Sequence, residues 1–270
     1  MMKPILRWAG SKKKLVPLLS DATPQGFTRY VEPFVGSAVL FLKLGAKSAL
    51  LGDMNSELID TYRTLRDHPR AVWNRVSSMS QEAEYYYSLR SENPVSLSAL
   101  DRAARFVYLN RFCFNGVYRT NRAGMFNVAR GKGHLFIPDL DVFMEMAKAL
   151  QNAELSCSDF ESVVDQTTRG DFLYLDPPYA LGEKRDRGEY GVGSFREADE
   201  NRLVDAIQGA AKRGVNVLLS YTPSLNITKR LDGWKVHDLS VARNVAGFAG
   251  SRRRANEILV SNYDWSPSHG

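Results

Sequence analysis

The chain has 270 residues, 44% of them hydrophobic and 24% charged, with a formal net charge of +6. That balance fits a soluble globular protein with a sizeable core and excludes a fibrous or low-complexity chain. No apolar run approaches the roughly 20 residues of a membrane span, and residues 1–8 hold no apolar signal segment. The two cysteines, Cys113 and Cys157, form neither a disulfide framework nor a metal-ligand spacing, and the four histidines are scattered. A soluble, cytoplasmic monomer with reduced thiols and no zinc site is expected.

Strands and helices alternate along the chain, which predicts an α/β architecture. Residues 28–33 read as a short strand stopped by Pro33. A turn at Phe34-Val35-Gly36-Ser37 leads to an apolar helix over 38–44, with Gly45 as its stop. A second strand over 48–51 ends in Gly52-Asp53, and a helix follows over 56–66. The chain then becomes richer in polar, aromatic and basic residues, with helices predicted over 70–79 and 97–112. Residues 115–134 are loop-like, with four glycines and interleaved Arg and Asn. Residues 57–144 are read as an inserted domain, and residues 1–56 with 145–270 as a discontinuous catalytic domain.

The α/β rhythm returns with an apolar strand, Phe172-Leu173-Tyr174-Leu175, running straight into Asp176. A glycine-rich charged loop over 181–193 is expected to be mobile. Ser194 and Glu197 have capping-box spacing before a helix that reaches Arg213, with Gly214 as its stop. Residues 215–220 form a buried strand. Two further strands, over 234–240 and 256–263, flank the basic loop that holds Arg252-Arg253-Arg254.

Ligands in open α/β sheets bind at the carboxyl ends of the strands. Three features should meet there. Gly36 lets the backbone approach a ligand closely. Asp53 lies seventeen residues later, near the spacing of a carboxylate that binds ribose hydroxyls; the plainer alternative for it is a helix cap. Asp176 ends a later strand. There is no G-x-G-x-x-G, which argues against a nicotinamide or flavin.

Asp176-Pro177-Pro178-Tyr179 is the sharpest signal. By average residue usage it arises by chance on the order of once per thousand chains of this length. An exocyclic amino group on a base is a poor nucleophile because its lone pair is delocalised. The Asp176 carboxylate can accept one amino hydrogen and the Pro177 carbonyl the other. The prolines fix both acceptors in advance, and Tyr179 offers a face on which the base can stack. A base inside a duplex must be flipped out to reach such a loop.

With these residues in place, the chain resembles the Dam-type, D12 class DNA adenine-N6 methyltransferases of the alpha group over nearly its whole length. Trp8-Ala9-Gly10-Ser11-Lys12 looks like their N-terminal cofactor motif. Glu32-Pro33-Phe34-Val35-Gly36-Ser37 looks like their glycine loop, Asp53-Met54-Asn55 like their ribose-binding motif, and Asp176 to Tyr179 like their catalytic signature. The resemblance implies a Rossmann-like sheet with a mostly helical DNA-recognition insert that contains a β-hairpin. It implies S-adenosyl-L-methionine as cofactor, contacted by Trp8, Ala9, Gly10, Lys12, Asp53 and Asp176. Phe34, Gly36 and Ser37 would shape the pocket, and Asp159-Phe160 would bind the cofactor adenine.

The recognition hairpin is implied at Tyr108-Leu109-Asn110-Arg111, Asn115-Gly116-Val117-Tyr118-Arg119 and Gly124-Met125-Phe126-Asn127-Val128. Arg and Asn are the side chains that read guanine and adenine edges. Contacts to double-stranded DNA are expected from Arg7, Arg111, Asn115, Val117, Tyr118, Arg119, Asn121, Arg122, Arg130, Tyr190, Arg252 and Arg253. Phe112, Phe114 and Tyr118 can pack beneath the loop or fill a gap in the duplex. Family members with this hairpin often modify GATC. This chain departs from them at Ala129-Arg130-Gly131, where they usually carry Pro-Phe-Gly, and at Arg7, where they usually carry lysine. Methylation of cytosine N4, of RNA adenine or of protein glutamine, and a DNA-binding regulator without activity, are the rival readings.

Overall fold

The computed structural model describes residues 2–121, 123–132, 135–178, 195–241 and 255–266. Helix α1 (Val16–Asp21) takes a proline in its first turn, where no backbone N–H is needed. Strand β1 (Tyr30–Glu32), helix α2 (Val39–Leu44), strand β2 (Ala49–Gly52) and helix α3 (Ser56–Asp67) follow. The cap of α3 is Asn55, whose side chain accepts from the Leu58 N–H, so Asp53 remains available for another role.

Helices α4 (Pro69–Ser77), α5 (Ala83–Ser91) and α6 (Ala99–Phe112) make up the middle of the chain. Beyond them the expected hairpin is held by two isolated antiparallel bridges, Cys113 to Arg130 and Thr120 to Phe126. Helix α7 (Leu140–Leu150) buries Phe143, Met146, Ala147 and Leu150, the spacing of one helical face. Strand β3 (Ala153–Ser156) and helix α8 (Phe160–Val164) lead into strand β4 (Phe172–Leu175). Helix α9 (Glu197–Lys212), strand β5 (Asn216–Tyr221), helix α10 (Leu225–Arg230) and strands β6 (Lys235–Val241) and β7 (Ala255–Ser261) complete the fold.

The start of α9 corrects the expected capping box. Its cap is Arg196, and the Asp199 carboxylate accepts from the Arg196 N–H at 2.9 Å. An arginine side chain has no acceptor, so only the carboxylate half of the box is made.

The sheet has seven strands in the order β3-β2-β1-β4-β5-β7-β6. The first five are parallel, and β7 runs antiparallel to both β5 and β6. The strand order reverses between β1 and β4, which makes their carboxyl ends the ligand crevice.

Alternation along the strands feeds two cores. Tyr30, Leu51, Phe172, Tyr174, Leu218 and Leu259 face the first, together with Leu58, Tyr62, Tyr108, Phe112 and Phe143 of α3, α6 and α7. Val31, Leu50, Leu173, Leu175, Leu219 and Val260 face the second, with Val163, Leu203 and Ile207 of α8 and α9. The helices of residues 57–144 therefore share one continuous core with a face of the sheet. Among the described residues, no helix is long and apolar enough to cross a membrane.

Candidate active site at the switch point

The turn after β1 is tight. Gly36 has φ of +44° and Ala38 has φ of +56°, a left-handed conformation that costs an alanine about 1–2 kcal/mol. The space at Gly36 is taken by Trp8: a Cβ there would fall 2.7 Å from Trp8 Cδ1 and 2.9 Å from Nε1. The glycine is therefore required by the close approach of an indole from the N-terminal motif. The Tyr62 hydroxyl donates to the Gly36 carbonyl at 2.5 Å, and the Ser37 hydroxyl donates to Ser11 Oγ at 3.2 Å. Ala9 and Gly10 lie in the turn closed by the Ser11 N–H and the Trp8 carbonyl.

Asp53 follows β2 and accepts from the backbone N–H groups of Asn55 at 2.9 Å and Gly36 at 3.3 Å. Burial nonetheless pushes its carboxyl up to about 6, against the pull of those two donors. Glu32, at the end of β1, is 3% exposed. Burial holds it well above the ordinary carboxylate range, and the charges of Asp176 and Asp53 push the same way. The crevice floor thus gathers carboxyl groups whose burial favours their protonated form.

Asp176 follows β4. Lys12 Nζ donates to its Oδ1 at 2.7 Å and also lies 3.9 Å from Glu257 Oε2 of β7. Lys12 is only 6% exposed. A buried ammonium here offsets part of the negative charge and holds the Asp176 carboxylate in one orientation. Pro177 and Pro178 continue from Asp176. Tyr179, the last residue of the signature, lies outside the described residues.

On the other side of the sheet, Phe34 stacks on Phe160 at 5.5 Å and meets the edge of Phe195 at 6.3 Å. Asp159 caps α8 by accepting from the Glu161 N–H at 3.0 Å. Arg202 of α9 binds Asp159 at 2.7 Å, Asp199 at 2.9 Å and also Glu161, while its guanidinium lies 4.9 Å over Phe160.

This arrangement has known counterparts. The D12 class N6 adenine-specific DNA methyltransferase family matches residues 8–245. The type II methyltransferase M1.LlaDCHI of Lactococcus lactis subsp. cremoris is 32% identical over 272 residues, which cover 97% of this chain and 96% of the relative. The DNA adenine methylase of Escherichia coli K12 is 31% identical over 264 residues, covering 94% and 93%. The DNA N-6-adenine-methyltransferase of Escherichia phage P1 is 32% identical over 265 residues, or 94% of this chain and 35% of that longer protein. The chain belongs to the D12 class N6 adenine-specific DNA methyltransferases.

In this D12 class enzyme the residues expected to meet DNA have unequal surroundings. Asn115 is exposed, with φ of +55°, and Phe114 beside it is 48% exposed. Phe112 is buried, and half-buried Tyr118 stacks on Trp8 at 6.0 Å, so these two pack beneath the hairpin. Val117 is half-buried against the same core. Arg119 donates to Asn127 Oδ1 at 2.9 Å. Asn121 is exposed, and its Oδ1 closes the hairpin turn by accepting from the Ala123 and Met125 N–H groups.

Arg111 makes hydrogen bonds within the protein. It donates to the carbonyls of Phe136 at 3.0 Å and Ile5 at 3.3 Å. Burial, with Arg7 nearby, lowers its pKa to about 10. Arg7 donates to the Arg111 carbonyl at 3.4 Å. Arg130 donates to the Gln81 carbonyl at 2.7 Å. The Gly131 N–H after it binds the Phe112 carbonyl, so Ala129-Arg130-Gly131 closes the base of the hairpin. Arg122, Tyr190, Arg252, Arg253 and the 181–193 loop lie outside the described residues. Sequence reasoning missed Glu257 and Arg202. Their only local signal is a charged residue on a strand or helix, and the partners that mark them out, Lys12 for Glu257 and Asp159 with Glu161 for Arg202, lie far away along the chain.

Proposed function

We propose that this D12 class enzyme transfers a methyl group from S-adenosyl-L-methionine to N6 of an adenine flipped out of double-stranded DNA. The target is a short specific site, GATC or similar. One observation carries the reading: the Lys12–Asp176 pair stands at the carboxyl end of β4, on the switch point that also gathers Asp53 and the Gly36 turn. Asp53, at the exit of β2, has the position for ribose hydroxyls. Trp8, Lys12 and Gly36 are assigned to the donor on one side of the strand ends, and Phe34 and Phe160 on the other.

When bound, the donor would supply an electrophilic methyl group and leave as a neutral thioether, and the N6 proton that the methyl replaces is released to solvent. The chain's own residues hold the nucleophile. The Asp176 carboxylate and the Pro177 carbonyl accept the two N6 hydrogens and draw the nitrogen towards tetrahedral geometry, freeing its lone pair. Lys12 fixes the carboxylate. Tyr179 is assigned the stacking face by its place in the signature. Alignment of amino group and methyl then does much of the work. Residues 57–144 are assigned to DNA recognition, with Asn115, Phe114 and Arg119 at the duplex. GATC rests on the likeness of residues 115–128 to hairpins that act there. A cytoplasmic setting accords with the free thiols of Cys113 and Cys157.

Tritium transfer from labelled donor to duplex DNA tests the reaction. Label should enter DNA and vanish with Asp176→Ala; DNA binding without transfer overturns it in favour of a regulator. Digestion of modified plasmid with GATC-sensitive nucleases tests the site. Full cutting by a nuclease that adenine methylation blocks rules GATC out. Single-molecule sequencing of host DNA then identifies the modified base and its context together.

A further inference from the structure

Arg7 and Trp8 are gripped by the segment assigned to DNA. Asn110, near the end of α6 and 2% exposed, makes both bonds that a paired strand would make to Arg7. Its Oδ1 accepts from the Arg7 N–H at 2.8 Å, and its Nδ2 donates to the Arg7 carbonyl at 2.6 Å. Gly116 closes on the same residue. It has φ of +65°, and a Cβ there would fall 2.3 Å from Arg7 Cβ and 3.3 Å from Arg7 backbone carbon. The neighbouring indole of Trp8 then lies against Gly36 and stacks on Tyr118 at 6.0 Å with an interplanar angle of 16°. Tyr118 in turn rests on Phe106 and Phe126, both buried.

We propose that Asn110 and Gly116 are positioning residues for the methyl donor: they fix Arg7 so that Trp8 is clamped between Gly36 and Tyr118. Donor affinity then depends on the base of the recognition hairpin before any DNA binds. This rests on the reading above that Trp8 borders the donor site. The physical reason is that an indole on a backbone with no strand partner has no fixed place. Two amide hydrogen bonds from one buried side chain supply that partner. The close Gly116 contact removes the room in which Arg7 could shift.

The test is calorimetric binding of S-adenosylhomocysteine without DNA, to the native chain and to Asn110→Ala, Gly116→Ala and Val72→Ala. Val72 is fully buried in α4, so its truncation lowers stability without touching the clamp. Asn110→Ala and Gly116→Ala should each bind roughly tenfold more weakly, while Val72→Ala binds as the native chain does. In turnover the two clamp variants should raise KM for the donor by a similar factor. Gly116→Ala decides the matter alone if Asn110→Ala does not fold. Native-like binding by the clamp variants, or equal weakening by Val72→Ala, overturns the inference. Absence of binding by the native chain overturns the donor reading beneath it.

Discussion

The Lys12 ammonium lies 2.7 Å from the Asp176 carboxylate across 164 residues of sequence. It joins the N-terminal motif to the Asp176-Pro177-Pro178 exit of β4. Glu257, 3.9 Å away on β7, extends the pair into a carboxylate–ammonium–carboxylate group. Lysine is 6% exposed and Asp176 20%, so the pair is partly screened at one end only.

Lys12→Met removes the cation and leaves two carboxylates facing its site. Breaking such a buried pair typically costs about 3–5 kcal/mol, and the partial exposure of Asp176 places this pair at the lower end. Methyl transfer should fall on the order of 100-fold, because Asp176 loses its fixed orientation. Lys12→Arg should not restore it, since a planar guanidinium cannot occupy a point-charge site. Single-turnover rates with denaturant midpoints separate the two effects. Native-like rates in Lys12→Met would show that the pair is only structural.

On the proposed role of Asp53 at the ribose, donor binding should depend on pH. The Asp53 carboxyl is pushed up to about 6 by burial, against an ordinary value of about 4. The unfolded chain releases this proton first, so this group's share of stability is complete below about pH 4 and is lost as pH rises through about 6. Donor binding should run the other way, because the ionised form accepts the ribose hydroxyls. Affinity should rise between about pH 5 and 7 with a midpoint near 6, and Asp53→Asn should flatten the curve. Isothermal titration across that range is the measurement.

Gly36→Ala tests the close approach of Trp8. The new methyl would sit 2.7 Å from the indole at a φ of +44°, so both sterics and backbone oppose it. A loss of about 1–3 kcal/mol in stability should accompany a raised KM for the donor. Thermal melts and donor titrations of the same preparation check both.

Arg111 and Asn115 should behave differently. Arg111 holds two carbonyls, so Arg111→Ala should lower Tm by several degrees, a change of about 1–2 kcal/mol. Asn115 is exposed, so Asn115→Ala should stay within about 0.5 kcal/mol in stability yet weaken specific DNA binding. Melting curves beside binding to specific and unrelated duplexes resolve the two. Unchanged Tm in Arg111→Ala would show that its two carbonyl bonds do not stabilise the fold.

Strand β4 and its exit into Asp176 were legible residue by residue, because a continuous apolar run that meets Asp-Pro-Pro has one reading in a parallel sheet. The Gly36 turn, the helix from Ser56 and the paired C-terminal strands were legible for similar local reasons. Strand β3 was not: Ala153, Glu154, Leu155 and Ser156 form a short edge strand with one exposed and one half-buried face position, and such a segment carries little strand propensity. Helix α7 has clear helical spacing, yet it sits at the end of a region whose polar composition reads as insertion. The register of the α9 cap slipped because Ser194 is the better capping residue by type, whereas the helix starts after Arg196.

The sequence by itself determined which chemical groups the site would use: a carboxylate with prolines, a glycine turn, an acidic strand end and an indole–lysine motif. Spacing and residue type encode such local features. Only the tertiary structure decided their partners. Lys12 meets Asp176 and Glu257, Trp8 rests on Gly36 and Tyr118, and Arg7 is paired by Asn110. Each of these contacts joins distant segments, and it follows from strand order and from helices that share the sheet's core. Periodicity within a short window contains neither.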